Sequence, residues 1–264
     1  MVGSRVYLGF LLVFLLSCSP EKGIPKTIAI YPTSDTIPEN LLRFYLKFSH
    51  PMKAINNIEN IRLMDENNQV VKGAIFSNVH ELWDDKQQQL TLILDPARVK
   101  SGLRANERLG RALIQGNSYR LVIAKMETVE HREVKPFEKK FMVGDLDTIA
   151  PSIEQWDIRF PQVRSTVPLR IAFPESVDLM SLYHRLTIAN DHGIKMEGAI
   201  EIGTKEKQWT FTPMETWKKG NYTIYVNTRL ADPSGNNLNG LFNHRVGSLN
   251  YEKEGETIEI PFSL

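Results

Sequence analysis

The sequence predicts an all-β protein made of two tandem β-sandwiches that follow an export signal. Three observations lead to this prediction. An apolar stretch at the start of the chain ends at Cys18, which is the single cysteine of the sequence. An ordered series of short strand and turn patterns occurs twice. Neither copy contains a convincing long helical period, and short strands separated by turns are typical of sandwiches.

The first seventeen residues have the order of a signal peptide. Arg5 precedes the apolar residues 6–16, and Leu15-Leu16-Ser17-Cys18 follows. The apolar run is about half of the roughly 20 residues that a transmembrane helix needs. The Leu-Leu-Ser-Cys sequence resembles a bacterial lipobox, which implies cleavage after residue 17 and acylation of Cys18. Secretion with an unmodified cysteine and a retained membrane span are the alternatives.

Composition limits the remaining possibilities. Residues 18–264 have room for two ordinary domains. The formal net charge is +1, and loss of Arg5 brings it to zero, so nucleic acid is not expected as a partner. A chain with one cysteine, itself assigned to the lipid anchor, cannot form an internal disulfide. Each domain must therefore be held together by core packing.

An internal repeat defines the domains. Residues 61–75 align with residues 186–200 without a gap, and each copy is predicted as strand, polar turn and strand. Three further pairs of segments match in the same order: residues 42–48 with 169–173, 90–96 with 208–213, and 116–123 with 220–226. The chain therefore contains the same unit twice.

The repeat and the proline-bearing sequence near residues 144–151 set the predicted boundaries. These are a signal peptide (1–17), a tether (18–25), a first sandwich (26–146) with an inserted basic loop (97–115), a second sandwich (150–247), and a tail (248–264). Residues 257–262 alternate between apolar and other residues, so the tail is expected to hold one more edge strand.

Several motifs resemble the bacterial immunoglobulin-like (Ig-like) domain of the S-layer-protein (SbsA) type. They are Phe48-Ser-His-Pro-Met52, Val71-Lys-Gly73, Leu90-Thr-Leu92, Tyr119-Arg-Leu-Val-Ile123 and Leu230-Ala-Asp-Pro-Ser-Gly-Asn-Asn-Leu238. The resemblance covers most of residues 27–247. It implies two tandem Ig-like β-sandwich domains, which serve as spacers, adhesive modules and appendages of cell-envelope proteins. It implies no catalytic residue.

No catalytic motif is evident in the sequence. None of the six histidines has the paired spacing of a zinc site. The nearest approach to a metal cluster, His80-Glu81 with Asp84 and Asp85, is interpreted as a polar loop between strands. The chain is therefore expected not to be an enzyme. A hydrolase remains the alternative, because a carboxylate pair leaves no short motif.

Calcium is the one cofactor that the residues suggest, and only as a structural ion. Asp145, Asp147 and Asp232 could meet at one end of a sandwich, and carboxylate oxygens are the ligands that calcium prefers. The alternative for Asp232 is a turn without a ligand, in which its side chain caps the backbone and Gly235 supplies a positive φ. Otherwise no cofactor is expected.

Two groups of residues are candidates for binding a partner. The basic loop carries five cations, which could meet anionic lipid, lipopolysaccharide or an acidic protein: Arg98, Lys100, Arg104, Arg108 and Arg111. The alternative is a solvated loop that covers a sheet edge. Trp83 and Trp156 lie near polar turns and are candidates for stacking on a glycan, whereas Trp209 and Trp217 are predicted to fill the core.

The sequence thus predicts a noncatalytic cell-envelope lipoprotein whose Ig-like domains act as a binding or structural module for a protein partner. A glycan-binding accessory lipoprotein is the first alternative. The membrane is contacted through the lipid on Cys18. Ser19 after the cysteine favours the outer membrane, in an orientation that faces the periplasm or the cell surface.

Overall fold

Two β-sandwiches make up the computed structural model, which describes residues 23–54, 58–76, 80–100, 103–243 and 255–264. The all-β prediction with tandem sandwich domains is confirmed. The predicted signal peptide, Cys18, residues 18–22 of the tether and the first part of the tail lie outside the described residues. Within the described ranges, no helix is long and apolar enough to cross a membrane.

The first sandwich has two four-stranded sheets. Its strands are β1 (Thr27–Tyr31), β2 (Thr36–Ile37), β3 (Arg43–Phe48), β4 (Ile61–Met64), β5 (Leu82–Trp83), β6 (Gln89–Ile93), β7 (Ser118–Ile123), β8 (Met126–Glu127), β9 (Glu133–Val134) and β10 (Phe137–Val143). One sheet has the order β1-β3-β6-β5 and the other β2-β10-β7-β4. Strands β8 and β9 form a separate hairpin.

The second sandwich has a similar arrangement, with one four-stranded and one three-stranded sheet. Its strands are β11 (Asp157–Arg159), β12 (Leu169–Ala172), β13 (Leu186–Asn190), β14 (Gly198–Ile202), β15 (Gln208–Pro213), β16 (Asn221–Asn227) and β17 (Thr257–Ser263). The sheets have the orders β11-β12-β15-β14 and β13-β16-β17. Strands β1, β3, β6 and β5 of the first sandwich correspond to β11, β12, β15 and β14 of the second, and strands β4, β7 and β10 correspond to β13, β16 and β17. If these seven strands are numbered in chain order, the first, second, fifth and fourth form one sheet and the third, sixth and seventh form the other, as in immunoglobulin domains.

Short helices occupy the connections. They are α1 (Pro96–Val99), α2 (Arg104–Leu109) and α3 (Leu179–His184), together with 3₁₀ turns at Ile58–Asn60, Ile153–Gln155 and Thr204–Glu206. Asp95 caps α1 and Asp178 caps α3, each through a side-chain oxygen that accepts a backbone N–H of the first turn. Helices α1 and α2 belong to the predicted basic loop, and α3 connects β12 to β13.

Each sandwich has its own apolar core. Alternation along the strands supplies it: Phe44, Leu46 and Phe48 of β3 all point inwards and are almost fully buried. In the second sandwich, Trp209 and Trp217 are 1% and 0% exposed, so their predicted place in the core is confirmed. The Trp217 indole N–H donates to the carbonyl of Val167 at 2.9 Å, which satisfies its one polar atom.

The repeated hairpins differ from the prediction in their second arm. After the turn that follows β13, a single bridge joins Ala189 to Lys195, and the chain then crosses to the other sheet as β14. The first sandwich does the same, with a bridge from Met64 to Val70 and a pairing of Ile75 with Leu94. A second arm that pairs within the same sheet and one that crosses to the facing sheet both have one buried side. The alternation of apolar residues therefore does not distinguish a hairpin from a crossover.

The tail belongs to the second sandwich. Strand β17 pairs with β16 along all seven of its residues, and Phe262 lies in the second core. The predicted boundary at residue 247 left this strand outside the domain, whereas the sheet includes it. Strand β17 takes the same place in its sheet as β10 does in the first sandwich, which explains its alternating sequence.

Candidate functional site

A cavity of about 500 Å³ lies at the junction of the two sandwiches. One wall is the linker, residues 145–152, and another is the connection between β12 and α3, residues 173–177. Gln155, Trp156 and Asp232 complete the lining. The cavity therefore brings together four of the residues that the sequence singled out: Asp145, Asp147, Trp156 and Asp232.

Asp232 holds a tight turn in place. Its Oδ1 accepts the backbone N–H groups of Ser234 at 2.8 Å and Asn236 at 3.0 Å, and its Oδ2 accepts the Asn236 amide at 2.9 Å. Gly235 in this turn has φ +83°, and a Cβ there would lie 2.3 Å from a methyl carbon of Leu42 in the first sandwich. The turn thus needs glycine for both its backbone angle and its contact with the other domain.

The Asp232 carboxyl is 4% exposed, and its pKa is raised to about 8. Burial is the largest cause, and the nearby charge of Asp147 adds to it, while the hydrogen bonds from Ser234 and Asn236 act in the opposite direction. Burial beside Asp147 therefore favours the protonated form of the Asp232 carboxyl. A protonated carboxyl at the wall of a cavity can donate a hydrogen bond as well as accept one.

The linker is bonded to the first sandwich through Asn40. The Asp147 backbone N–H donates to Asn40 Oδ1 and the Asn40 amide donates to the Asp147 carbonyl, both at 2.9 Å. Asp145 instead accepts a hydrogen bond from the side chain of Gln115. Among the described residues, no group of three or more His, Cys, Asp or Glu is placed to hold a metal ion. Structural calcium stays a prediction.

Trp156 supplies the aromatic wall of the cavity. Its half-buried ring meets Phe173 edge-on, with centroids 5.0 Å apart and planes at 90°. Carboxyl groups beside an indole ring form a surface that suits a polar ligand with an apolar face.

Beyond the cavity, α3 of the second sandwich lies against the outer face of the sheet that contains β3. The Tyr45 hydroxyl donates to Asp178 Oδ2 at 2.7 Å, and the Arg43 guanidinium lies 3.9 Å from the same oxygen. Burial and the Asp178 charge raise the pKa of Tyr45 far above its usual value, so it stays a hydrogen-bond donor. Asp178 also accepts the Ser181 N–H, so one carboxylate both caps α3 and fixes the domain contact.

A second buried carboxylate faces the first sandwich. Glu206 is 1% exposed and accepts hydrogen bonds from the Thr33 N–H, at 3.0 Å and 3.2 Å, and from the Thr33 hydroxyl, at 2.6 Å. Burial raises the pKa of Glu206, and the bonds from Thr33 oppose that shift. We call the Tyr45–Asp178 and Thr33–Glu206 contacts, together with those of Asn40, the polar junction.

Sequence reasoning missed the polar junction. One signal was present: Tyr45 lies between the inward-facing Phe44 and Leu46, so it is an aromatic side chain on the outward face of its strand. An aromatic residue there indicates that something covers the sheet. The sequence pattern does not indicate that the segments carrying Asp178 and Glu206 are the ones that cover this sheet.

The basic loop is largely structural, which corrects the prediction for Arg98. This side chain is 5% exposed, and its guanidinium donates to four carbonyl oxygens, those of Lys72, Leu109, Gly110 and Arg111, at 2.8–3.3 Å. Arg98 therefore joins α1, the end of α2 with the residues that follow it, and the crossover segment that contains Lys72. A guanidinium with five donors can bond several carbonyls at once, which the sequence pattern does not show.

The other cations of the loop divide into two kinds. Arg111 donates to the Val99 carbonyl at 2.9 Å and lies 3.3 Å from Glu39 Oε2, while Lys100 lies over the ring of Phe242 at 4.3 Å. These side chains also hold the fold. Arg104 and Arg108 are exposed on α2, one turn apart, and remain candidates for contact with a partner.

Trp83 lies away from the cavity. Its ring is half-buried against Phe48, with centroids 5.6 Å apart, and its indole N–H donates to Glu81 Oε2 at 2.8 Å. Trp83 and Trp156 are therefore both half-buried, but they do not share a surface. Of the two, Trp156 is the one that lines a cavity.

Comparisons with known proteins yield structures but no sequence relatives. No protein-family model matches the chain, and no curated protein matches it. The S-layer protein rSbsC(31-844) is similar over 77% of this chain, at 12% identity and a TM-score of 0.33, and the chain spans 23% of that structure. Native alpha-2-macroglobulin from Escherichia coli (domains MG0-NIE-MG1) is similar over 92%, at 11% identity and a TM-score of 0.29, and 72% of it is covered.

Titin also appears among the similar structures. Its I-band fragment I67-I69 is similar over 91% of this chain, at 10% identity and a TM-score of 0.20, with 62% of the fragment covered. These scores are low, and the Ig-like fold follows from the strand order of the two sandwiches.

The raised pKa of Asp232 predicts a dependence of stability on pH. Below about pH 4 the carboxyl is protonated in both states. As the pH rises to about 8, the unfolded chain ionises while the folded chain holds its proton, so the free energy of unfolding falls. In Asp232→Asn this component is absent, and the decline between pH 4 and pH 8 should be shallower. Urea denaturation followed by circular dichroism measures both.

Asp147→Asn is the matched control for that experiment. It removes the neighbouring charge but keeps the buried carboxyl, so its pH profile should lie between those of the wild type and Asp232→Asn. Parallel profiles for all three proteins would show that Asp232 does not titrate as the structure implies.

Arg98 should be important for stability and Arg108 should not. Arg98→Met leaves four carbonyls without their donor and should lower the free energy of unfolding by about 2–4 kcal/mol. Arg108→Met changes an exposed side chain on the neighbouring helix and should stay within about 0.5 kcal/mol. Chemical denaturation measures both variants. Equal effects would contradict a structural role for Arg98.

Proposed function

We propose that this protein is a noncatalytic cell-envelope lipoprotein that presents two Ig-like domains in a fixed arrangement to a protein partner. The polar junction is the observation that carries the proposal. Two sandwiches joined only by a linker would take many orientations, whereas buried, directional contacts select one. A partner could then recognise a surface formed by both domains.

The location follows from the sequence. The apolar start, the Leu-Leu-Ser-Cys sequence and the absence of other cysteines support an anchor on Cys18, in the outer membrane and facing the periplasm or the cell surface. The motifs shared with the SbsA-type Ig-like domain support a role in the cell envelope. The near-neutral charge gives no support to nucleic acid as a partner.

The junction cavity supports glycan binding as a second candidate function. Trp156 offers an aromatic wall, and Asp147 and Asp232 offer polar groups close to it. An indole ring beside carboxyl groups suits a sugar, which has an apolar face and hydroxyl groups at its rim. In this case the cavity, and not the whole surface, would be the binding site.

Lipidation is tested by changing Cys18. In cells fed a labelled fatty acid, the wild type should incorporate the label and sediment with membranes, because the thiol is the acylation site. Cys18→Ser should carry no label and should lose its membrane association. Ser17→Ala, which keeps the thiol and places another small residue before it, is the control. A Cys18→Ser protein that still sediments with membranes would contradict the anchor.

Glycan binding is tested by isothermal titration with cell-wall oligosaccharides. If the cavity binds them, Trp156→Ala should weaken the affinity by about 5- to 30-fold, since stacking on an aromatic ring contributes on the order of 1–2 kcal/mol. Trp83→Ala removes a similarly half-buried ring elsewhere and should leave the affinity unchanged. No heat of binding with the wild type, or equal loss in both variants, would contradict this function.

A further inference from the structure

The first described residues are fastened to one end of the first sandwich. Arg132, which follows the turn between β8 and β9, donates a hydrogen bond to the carbonyl of Gly23. The Lys26 N–H donates to Ser49 Oγ and the Ser49 N–H donates to the Lys26 carbonyl, both at 3.0 Å. The chain is therefore held to the domain from Gly23 onwards.

These contacts define the tether end of the sandwich. We use this name for the end where β1 begins and β3 stops, with the β8–β9 hairpin beside them. Thr27 of β1 pairs there with Phe48 of β3, and Met52 forms a bridge to Thr128. The opposite end carries α2 and the linker, because β10 starts at Phe137 beside the tether end and runs away from it to Val143.

Covalent length limits how far the tether end can be from a lipid on Cys18. Four residues lie between Cys18 and Gly23, so five fully extended Cα–Cα steps join them and span at most about 18 Å. The six residues of β3 alone cover a similar distance, about 17 Å, and loops extend beyond both ends of the strand. The reach of the tether is thus shorter than the sandwich is long.

The tether end also exposes apolar side chains that suit contact with a bilayer. Ile24, Val129 and Phe137 are 65%, 47% and 40% exposed there. Three cations around the hairpin are paired with its acids, Lys53 with Glu127, Lys125 with Glu133, and Arg132 with Glu130, while Lys26 and Lys135 are exposed at the same end. The exposed apolar side chains favour the membrane interface, and the exposed lysines are compatible with phosphate-bearing headgroups.

We propose that the tether end of the first sandwich faces the bilayer, with Val129 and Ile24 at the headgroups, and that the junction cavity opens away from the membrane. This orientation rests on the proposed lipid at Cys18. It leaves α2, with Arg104 and Arg108, and the cavity accessible to a partner. The bilayer contact depends on apolar side chains, so it does not require anionic lipid.

Fluorescence quenching in vesicles tests the orientation. The lipidated protein, without its signal peptide, is placed in phosphatidylcholine vesicles that carry a quencher on the headgroup. An acylated Cys18 cannot react, so one fluorophore can be attached at Val129→Cys, Leu109→Cys or Ile149→Cys. These positions are exposed at the tether end, on α2 and at the cavity rim, respectively.

The label at position 129 should lose most of its fluorescence, and the labels at 109 and 149 should keep most of theirs. Replacing part of the phosphatidylcholine by phosphatidylglycerol should not change this order. Equal quenching at all three positions, as for a sandwich lying flat on the membrane, would overturn the orientation. So would stronger quenching at 109 or 149.

The wild-type protein separates this result from a failure of the anchor. If Cys18 is acylated, the wild type takes up no fluorophore and sediments with the vesicles. A wild type that is labelled at Cys18 and stays in the supernatant overturns the proposed anchor and the orientation together. A wild type that is unlabelled and sediments, combined with equal quenching of the three variants, overturns the orientation alone.

Discussion

The arrangement of the whole molecule depends on three acidic side chains that the second sandwich buries at the junction. Asp178 and Glu206 receive their hydrogen bonds from Tyr45 and Thr33 of the first sandwich, and the Asp232 turn packs on Leu42. Burying a carboxylate without a hydrogen-bond donor costs free energy. Other orientations of the two domains that bury these groups away from their donors are therefore disfavoured. The contacts thus favour one arrangement of the domains over others, and specificity is their main contribution.

Two charged connections of the molecule, the basic segment and the acidic linker, differ in what their side chains do. The segment from Asp95 to Arg111 is basic in sequence, yet the guanidinium groups of Arg98 and Arg111 donate hydrogen bonds to backbone carbonyl oxygens of the same domain. The linker is acidic and forms a cavity wall, because Asn40 holds Asp147 in place. Within the described part of the basic segment, the exposed cations Arg104 and Arg108 therefore lie on α2, while the cavity collects carboxyl groups of the linker.

The fold was predictable because the repeat and the alternation of apolar residues are local signals. Phe44, Leu46 and Phe48 show the inward face of β3 in the sequence itself. The acidic lining of the cavity was one of the possibilities that the sequence offered, since Asp145, Asp147 and Asp232 could meet at one end of a sandwich, but the cavity itself was not predicted. The polar junction and the role of Arg98 were not predictable, because both depend on which backbone or side-chain atoms approach from distant parts of the chain, and no spacing rule encodes that approach.

The most direct test of the fixed arrangement is the distance distribution between spin labels on the two sandwiches. Leu109→Cys and Met214→Cys place one exposed label on each domain in a Cys18→Ser background. Pulsed electron paramagnetic resonance should give one narrow distance distribution. The distribution should broaden when Tyr45→Phe and Thr33→Val remove the donors to Asp178 and Glu206. A broad distribution in the protein with the junction intact would contradict the account.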